Sequence, residues 1–211
     1  MQLTLFSADC VGSLPNSIYP NKCVITDEDS MKTAVAFDHV AAEYTNNHRS
    51  NTDFLSSDNI PMDCDNDHSD DPNDWITPLE VAMAFPGVEF VVVYSRNNML
   101  PKSGKSPRLR FHVYFPIPPI TDSAEYTALK KRIAAEFPYF YKNALDSARL
   151  LFRVTNPQVE IYNGDMSIVD FLDNADFEKW DSDSASVPEG SRNSTMSHYA
   201  GRIIKRLGNT D

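Results

Sequence analysis

Short β-branched runs and segments of helical period alternate along the chain. Residues 88–95 (VEFVVVYS) are rich in β-branched and aromatic residues and 109–115 (LRFHVYF) alternate, so both predict core strands. Between them NNMLPKSGKSPR has the Pro, Gly, Ser and Asn content of a loop, which predicts a hairpin with a long arm. Further strands are predicted at 23–26 (CVIT), at 59–65 (NIPMDCD) and at 149–155 (RLLFRVT). Met31, Ala34, Val35, His39 and Val40 recur at helical spacing behind Asp27 or Asp29, predicting a helix over about 29–44. Thr77-Pro78-Leu79-Glu80 sets a hydroxyl at N-cap, proline at N1 and glutamate at N3, a capping box that opens a short helix to about Phe85. Pro116, Pro118 and Pro119 predict the end of the second core strand, and Asp122 starts a helix through about Phe137. Residues 173–190 read as an Asp- and Ser-rich linker, and 196–208 (MSHYAGRIIKRLG) as an amphipathic basic helix.

Composition narrows this picture. A chain of 211 residues with 41% hydrophobic and 11% aromatic residues can bury a core without staples, in one large domain or two small ones. Three cysteines, Cys10, Cys23 and Cys64, without any CxxC, disfavour a disulfide framework or a zinc knot. No long apolar run and no basic, apolar leader occur, so the expectation is a cytoplasmic protein without a membrane partner. The net charge of −11 argues against a polyanionic partner, but the average conceals a segregation. From Arg96 to Arg153 there are eleven Lys and Arg against four Asp and Glu, a local net of +7, which leaves −18 for the remainder. A basic middle beside an Asp cluster at 63–74 suggests a site for polyanions next to carboxylates able to hold metal.

Asp63 and Asp65, two apart at a strand end, share a face, and their hard oxygens suit Mg²⁺ or Mn²⁺. Taken alone, DxD is more often a solvated acidic loop. Asp67, Asp70, Asp71 and Asp74 lack the Gly and terminal Glu of an EF-hand loop and read as solvent-facing or outer-shell. His112 is in phase with Arg108 and Arg110, a cationic strand face preceded by Lys102 and Lys105 that suits a triphosphate. Walker, GxGxxG, nucleophile-elbow and HExxH patterns are absent.

The order of DxD after a hydrophobic strand, a basic loop with a strand carrying RxH, and an Asp-and-Arg segment (LDSARLLFRV) resembles the archaeo-eukaryotic primase superfamily. The likeness is to primase or primase-polymerase domains of phages and mobile elements, through AFDHV, MDCDNDHS, YSRNNM, RFHVYFP, ALDSARLLF and EGSRNSTMSHYAGRIIKR, and it spans about residues 20–208. The resemblance implies an α/β (α+β) core with an RRM-like palm sheet and an N-terminal αβ unit. It implies a catalytic domain over 1–172, an acidic linker at 173–190 and, at 191–211, the start of a helical C-terminal element of a longer protein. Asp63, Asp65 and Asp146 match the metal carboxylates and His112 the histidine of the second motif. Lys105, Arg108, Arg110 and His112 are the implied nucleotide contacts, and Arg96, Lys102, Arg149 and Arg153 the implied nucleic-acid contacts. Many relatives carry an acid about eight positions before that arginine, where this sequence has Tyr141; Leu145-Asp146 offers the third carboxylate instead. The implied activity is template-directed nucleotidyl transfer on single-stranded DNA from NTP or dNTP, in a bacterial or phage-infected cell, with a fused or associated helicase as partner. The alternatives are a catalytically weakened replication-initiation or nucleic-acid-binding domain of the same fold, and a metal-dependent nuclease.

Overall fold

The computed structural model describes residues 1–174; the linker and the basic C-terminal helix expected from the sequence lie outside the described residues. The fold class is α/β (α+β). Its frame is a five-stranded antiparallel sheet built from β4 (Glu43–Tyr44), β5 (Phe54–Cys64), β6 (Phe90–Tyr94), β7 (Phe111–Ile120) and β8 (Val159–Tyr162) in the order β4-β5-β7-β6-β8. Phe90 to Val93 are all buried, which explains why this run reads as continuously apolar: β6 lies inside the sheet and is covered on both faces. A second sheet of three strands, β1 (Leu3–Ser7), β2 (Asn21–Ile25) and β3 (His39–Val40), is ordered β2-β1-β3 and joins α1 (Glu28–Val35) as an N-terminal unit.

Side-chain alternation assigns the two faces of the larger sheet. Ile60, Met62, Cys64, Val92, Phe111, Val113 and Phe115 pack with α2 (Pro78–Ala84), α3 (Ser123–Glu136) and α4 (Ile168–Asn174). Val91, Val93 and Tyr114 face the other way, onto Leu3, Leu5, Ile25, Met31 and Val35 of the N-terminal unit. Asp63 is out of phase with Met62 and Cys64, and the β5–β7 register sets it directly opposite His112.

Several boundaries differ from the pattern. The helix expected over 29–44 ends at Val35, because Asp38 is taken up by the backbone N–H groups of Ser13 and Arg153 and His39 pairs with Leu151. His39 and Val40 are buried as strand residues, which mimics helical spacing. Residues 149–155 form no strand beyond that single bridge. β7 runs through its prolines to Ile120; β6 flanks β7 only as far as Tyr114, so beyond it that side has no neighbour needing an N–H. β5 begins five residues earlier than the pattern indicates because its polar half is bonded rather than solvated: Ser57 donates to the Ala41 carbonyl, Asp58 accepts from Thr4, and Asn59 donates to the Thr4 carbonyl. The short elements β8 and α4 are additions. The helix opened by the Thr77 box and the one opened by Asp122 form as expected, Glu80 accepting from the Thr77 N–H at 2.7 Å and Asp122 from the Glu125 N–H at 2.7 Å.

Gly164 sits where the chain leaving β8 crosses the turn into β6. A Cβ there would enter the Gly87 carbonyl oxygen and lie 2.7 Å from the Glu89 nitrogen, both backbone atoms that cannot yield. Gly164→Ala is expected to cost about 1–3 kcal/mol, read as a thermal midpoint lower by about 2–12 °C.

Candidate functional site

Asp63 is buried at the C-terminal end of β5, and three segments meet on it. The Nδ1–H of His112 donates to its Oδ1 at 2.8 Å, Arg149 Nη2 donates to its Oδ2 at 2.6 Å, and its backbone carbonyl accepts the Tyr141 N–H at 2.8 Å. Burial would raise its pKa, yet the adjacent imidazole and guanidinium outweigh burial and hold the carboxyl well below the usual range. With Nδ1 facing the carboxylate, His112 turns Nε2 away, and that nitrogen has no hydrogen-bond partner among the described residues.

Arg149 reaches Asp63 because the turn before it is held from beneath. Lys130 Nζ donates to the Asp146 carbonyl at 3.3 Å, the Tyr44 hydroxyl to the Ser147 carbonyl at 2.7 Å, and Arg49 to the Ala148 carbonyl at 2.9 Å. Lys130 is fully buried, and burial lowers its pKa to about 8 against the pull of Asp63 and Asp146. Its neighbours Lys131 and Arg132 make it look solvated in sequence, but Tyr126, Leu129, Lys130 and Ile133 share the inward face of α3.

Beside this cluster, the β6–β7 arm closes onto the acidic loop after β5. Ser103 and Gly104, both with positive φ, form its two-residue tip, flanked by the Lys102–Lys105 bridge. Lys102 Nζ lies 2.7 Å from Asp65 Oδ2, and Lys105 Nζ bonds the Asp67 carbonyl at 3.0 Å; both lysines stay partly exposed. Arg108 and Arg110 are otherwise placed than the sequence suggests. Arg108 is buried, donating to the Asn66 and Ser69 carbonyls and pairing with Asp70, while buried Arg110 donates to the Asn97 and Leu100 carbonyls. Loop carbonyls sealed from water need donors, and these guanidiniums supply them, so neither lies open to a triphosphate.

Asp146 does not join Asp63 and Asp65. Among the described residues no three His, Cys, Asp or Glu side chains come together as a metal group, and Asp146 Oδ1 accepts the Ala148 N–H of its own turn at 3.0 Å. Arg96 lies exposed with its guanidinium 3.7 Å above the Phe152 ring, next to exposed Arg153. Beneath the site, His39 is buried and neutral: Nδ1–H donates to the Phe37 carbonyl and Nε2 accepts from the Tyr114 hydroxyl at 2.9 Å, and burial pulls its pKa down to about 4. His39, Lys130 and the Tyr141 amide are parts of the site that the sequence did not signal.

No family model and no curated protein matches the chain. Among solved structures it is similar to the AEP domain of the cyanophage S-2L primase-polymerase, at 14% identity and a TM-score of 0.42 over 76% of this chain and 84% of that one. At that level the likeness assigns no activity, and the site's own residues carry the reading. No helix among the described residues is long and apolar enough to cross a membrane.

Acidification is expected to remove stability in two stages. The unfolded chain protonates His39 near pH 6.5 and the folded chain only near pH 4, so the unfolded state binds more protons in that window and stability falls as pH falls through it. Asp63 titrates below the unfolded value of about 3.9, so its contribution is complete above roughly pH 4 and lost beneath it. Denaturant melts between pH 7 and 3 check both: His39→Gln should flatten the first stage and Arg149→Met should shrink the second.

Proposed function

We propose that this chain is a divalent-metal-dependent nucleotidyltransferase of primase or primase-polymerase type, joining nucleotides from NTP or dNTP on a single-stranded DNA template. The observation that supports this best is the meeting of Asp63, His112 and Arg149, one residue from each of three separated motifs, at a single carboxylate. Asp63 and Asp65 would hold Mg²⁺ or Mn²⁺: both are hard oxygen donors, and two protein carboxylates completed by substrate phosphates suffice for such an ion. When bound, the ion supplies charge neutralisation at the attacking 3′-hydroxyl and the leaving pyrophosphate. Lys102 and Lys105, partly exposed and paired with Asp65 and Asp67, can turn to a triphosphate. His112, fixed by Asp63, can donate to a phosphate oxygen through Nε2 when that nitrogen also carries a proton. Arg149 neutralises charge at the same point, and exposed Arg96 and Arg153 with the partly buried Phe152 ring provide cations and a ring for a template strand.

A second reading, a catalytically weakened replication-initiation or nucleic-acid-binding domain, draws on a specific observation. Both oxygens of Asp63 already accept hydrogen bonds, from His112 and Arg149, and no third carboxylate accompanies it among the described residues.

Primer synthesis on single-stranded DNA, with each nucleotide set and with Mg²⁺ or Mn²⁺, separates the two. The first reading expects product that falls at least about 100-fold in the Asp63→Asn, Asp65→Asn double variant. Wild-type chain that yields no product yet binds single-stranded DNA supports the second. Template binding is expected to weaken with salt despite the acidic chain, and neutralising Lys102 or Lys105 should lower the slope of log K against log salt by about 0.7 for each phosphate no longer neutralised.

A further inference from the structure

A cleft of about 250 Å³ opens beside Asp65, between the acidic loop and the segment that follows α3. One wall is Asp65 to His68 and the other runs from Pro138 to Asn143, including Tyr139, Phe140 and Tyr141. The volume is below the roughly 300–1,000 Å³ of sites for extended small molecules, so it fits a single ring system with little beyond it. Two features make it a built site. Its second wall is rigid: Phe140 is buried in the core, the Tyr139 ring packs at 4.9 Å on His68, and the Tyr141 N–H is tied to the Asp63 carbonyl. Tyr141 nevertheless stays 37% exposed as a residue, with its hydroxyl accepting from Asn143 at 3.1 Å.

The charges around it give the occupant a direction. Asp65 and Asp67, which line the cleft, are the anchors of Lys102 and Lys105. A flat ring inside the cleft would therefore have both ammonium groups within reach of any phosphates attached to it, and the Asp63–Arg149 pair close to Asp65 along the chain.

We propose that this cleft binds a nucleobase, stacked on the ring of Tyr141, with the attached phosphates directed to Lys102 and Lys105. The choice of nucleotide chemistry rests on the nucleotidyl-transfer reading, whereas the site itself is defined by the cleft. The base can belong to an incoming nucleotide or to the template strand, and a stacked ring would serve either.

Calorimetric titration of the full chain with tripolyphosphate, dATP and a short oligothymidylate tests this in the wild type, Tyr141→Ala and Tyr141→Phe. Loss of one stacking partner is expected to weaken the ring-bearing ligand by about 5- to 150-fold in the Ala variant. Tripolyphosphate affinity should stay unchanged and Phe should retain wild-type affinity. A loss confined to dATP assigns the cleft to the incoming nucleotide, and one confined to the oligomer assigns it to the template. Equal affinities in Ala and wild type, a parallel loss for tripolyphosphate, or no binding of either ring-bearing probe overturns the proposal. Photo-labelling of the wild type with 8-azido-dATP checks the incoming-nucleotide assignment without a substitution: labels within 65–68 or 138–143 support it and labels only elsewhere refute that assignment. Because none of these readouts needs turnover, absent primer synthesis with ring-dependent binding defeats the polymerase reading alone.

Discussion

A carboxylate removed from water must be paired or it destabilises the fold by several kcal/mol, and Asp63 is such a group. Its two oxygens are taken by His112 of β7 and by Arg149, 49 and 86 residues away in sequence. Pairing therefore does more than stabilise one charge. It joins the end of β5 to its central neighbour and to the turn after α3, and through the Asp63 carbonyl it fixes the start of the Tyr141 segment as well. Most of the supporting polar network serves the same end, since Lys130, Tyr44 and Arg49 hold the carbonyls of the turn from which Arg149 extends.

Around that point the segregated charge of the chain becomes local and complementary. The acidic loop and the basic arm lie against one another, with buried guanidiniums at the base of the arm and exposed ammonium groups near its tip. Exposed pairs of this kind are worth little individually, so the tip can exchange partners at small cost while the base stays fixed. A molecule with a net charge of −11 thus keeps two partly exposed cations next to two carboxylates, an arrangement suited to a ligand that is itself anionic and accompanied by a cation.

The three central strands of the larger sheet, β5, β6 and β7, were legible because burial on a pleated surface leaves a mark in the residues themselves: FVVVY is apolar throughout since β6 is covered on both faces, and FHVYF alternates since β7 has two unlike faces. Helix starts at Thr77 and Asp122 were legible for the same reason, being local hydrogen-bond chemistry. The pairing of Asp63 with the histidine of the second strand follows from period two once the register is known, and the residues singled out as Asp63, Asp65, His112, Lys102 and Arg149 do gather at one end of the sheet.

What the sequence by itself determined is therefore the local part: the central strands of the larger sheet, the starts of the capped helices, where charge is concentrated, and which side chains have the chemistry for a site. Tertiary structure alone decided which cations remain available. Arg108 and Arg110 carry the same charge as Lys102 and Lys105 and stand only a few residues away, yet burial against loop carbonyls closes off the first pair and leaves the second partly exposed. It also decided that Asp146 turns to its own backbone, that Lys130 points inward from a run of solvated neighbours, and that the prolines of β7 are tolerated where the sheet lacks a neighbour. Each of these depends on what another, distant segment leaves unsatisfied, and hydrogen-bond demand from a segment dozens of residues away leaves no periodicity in the chain that answers it.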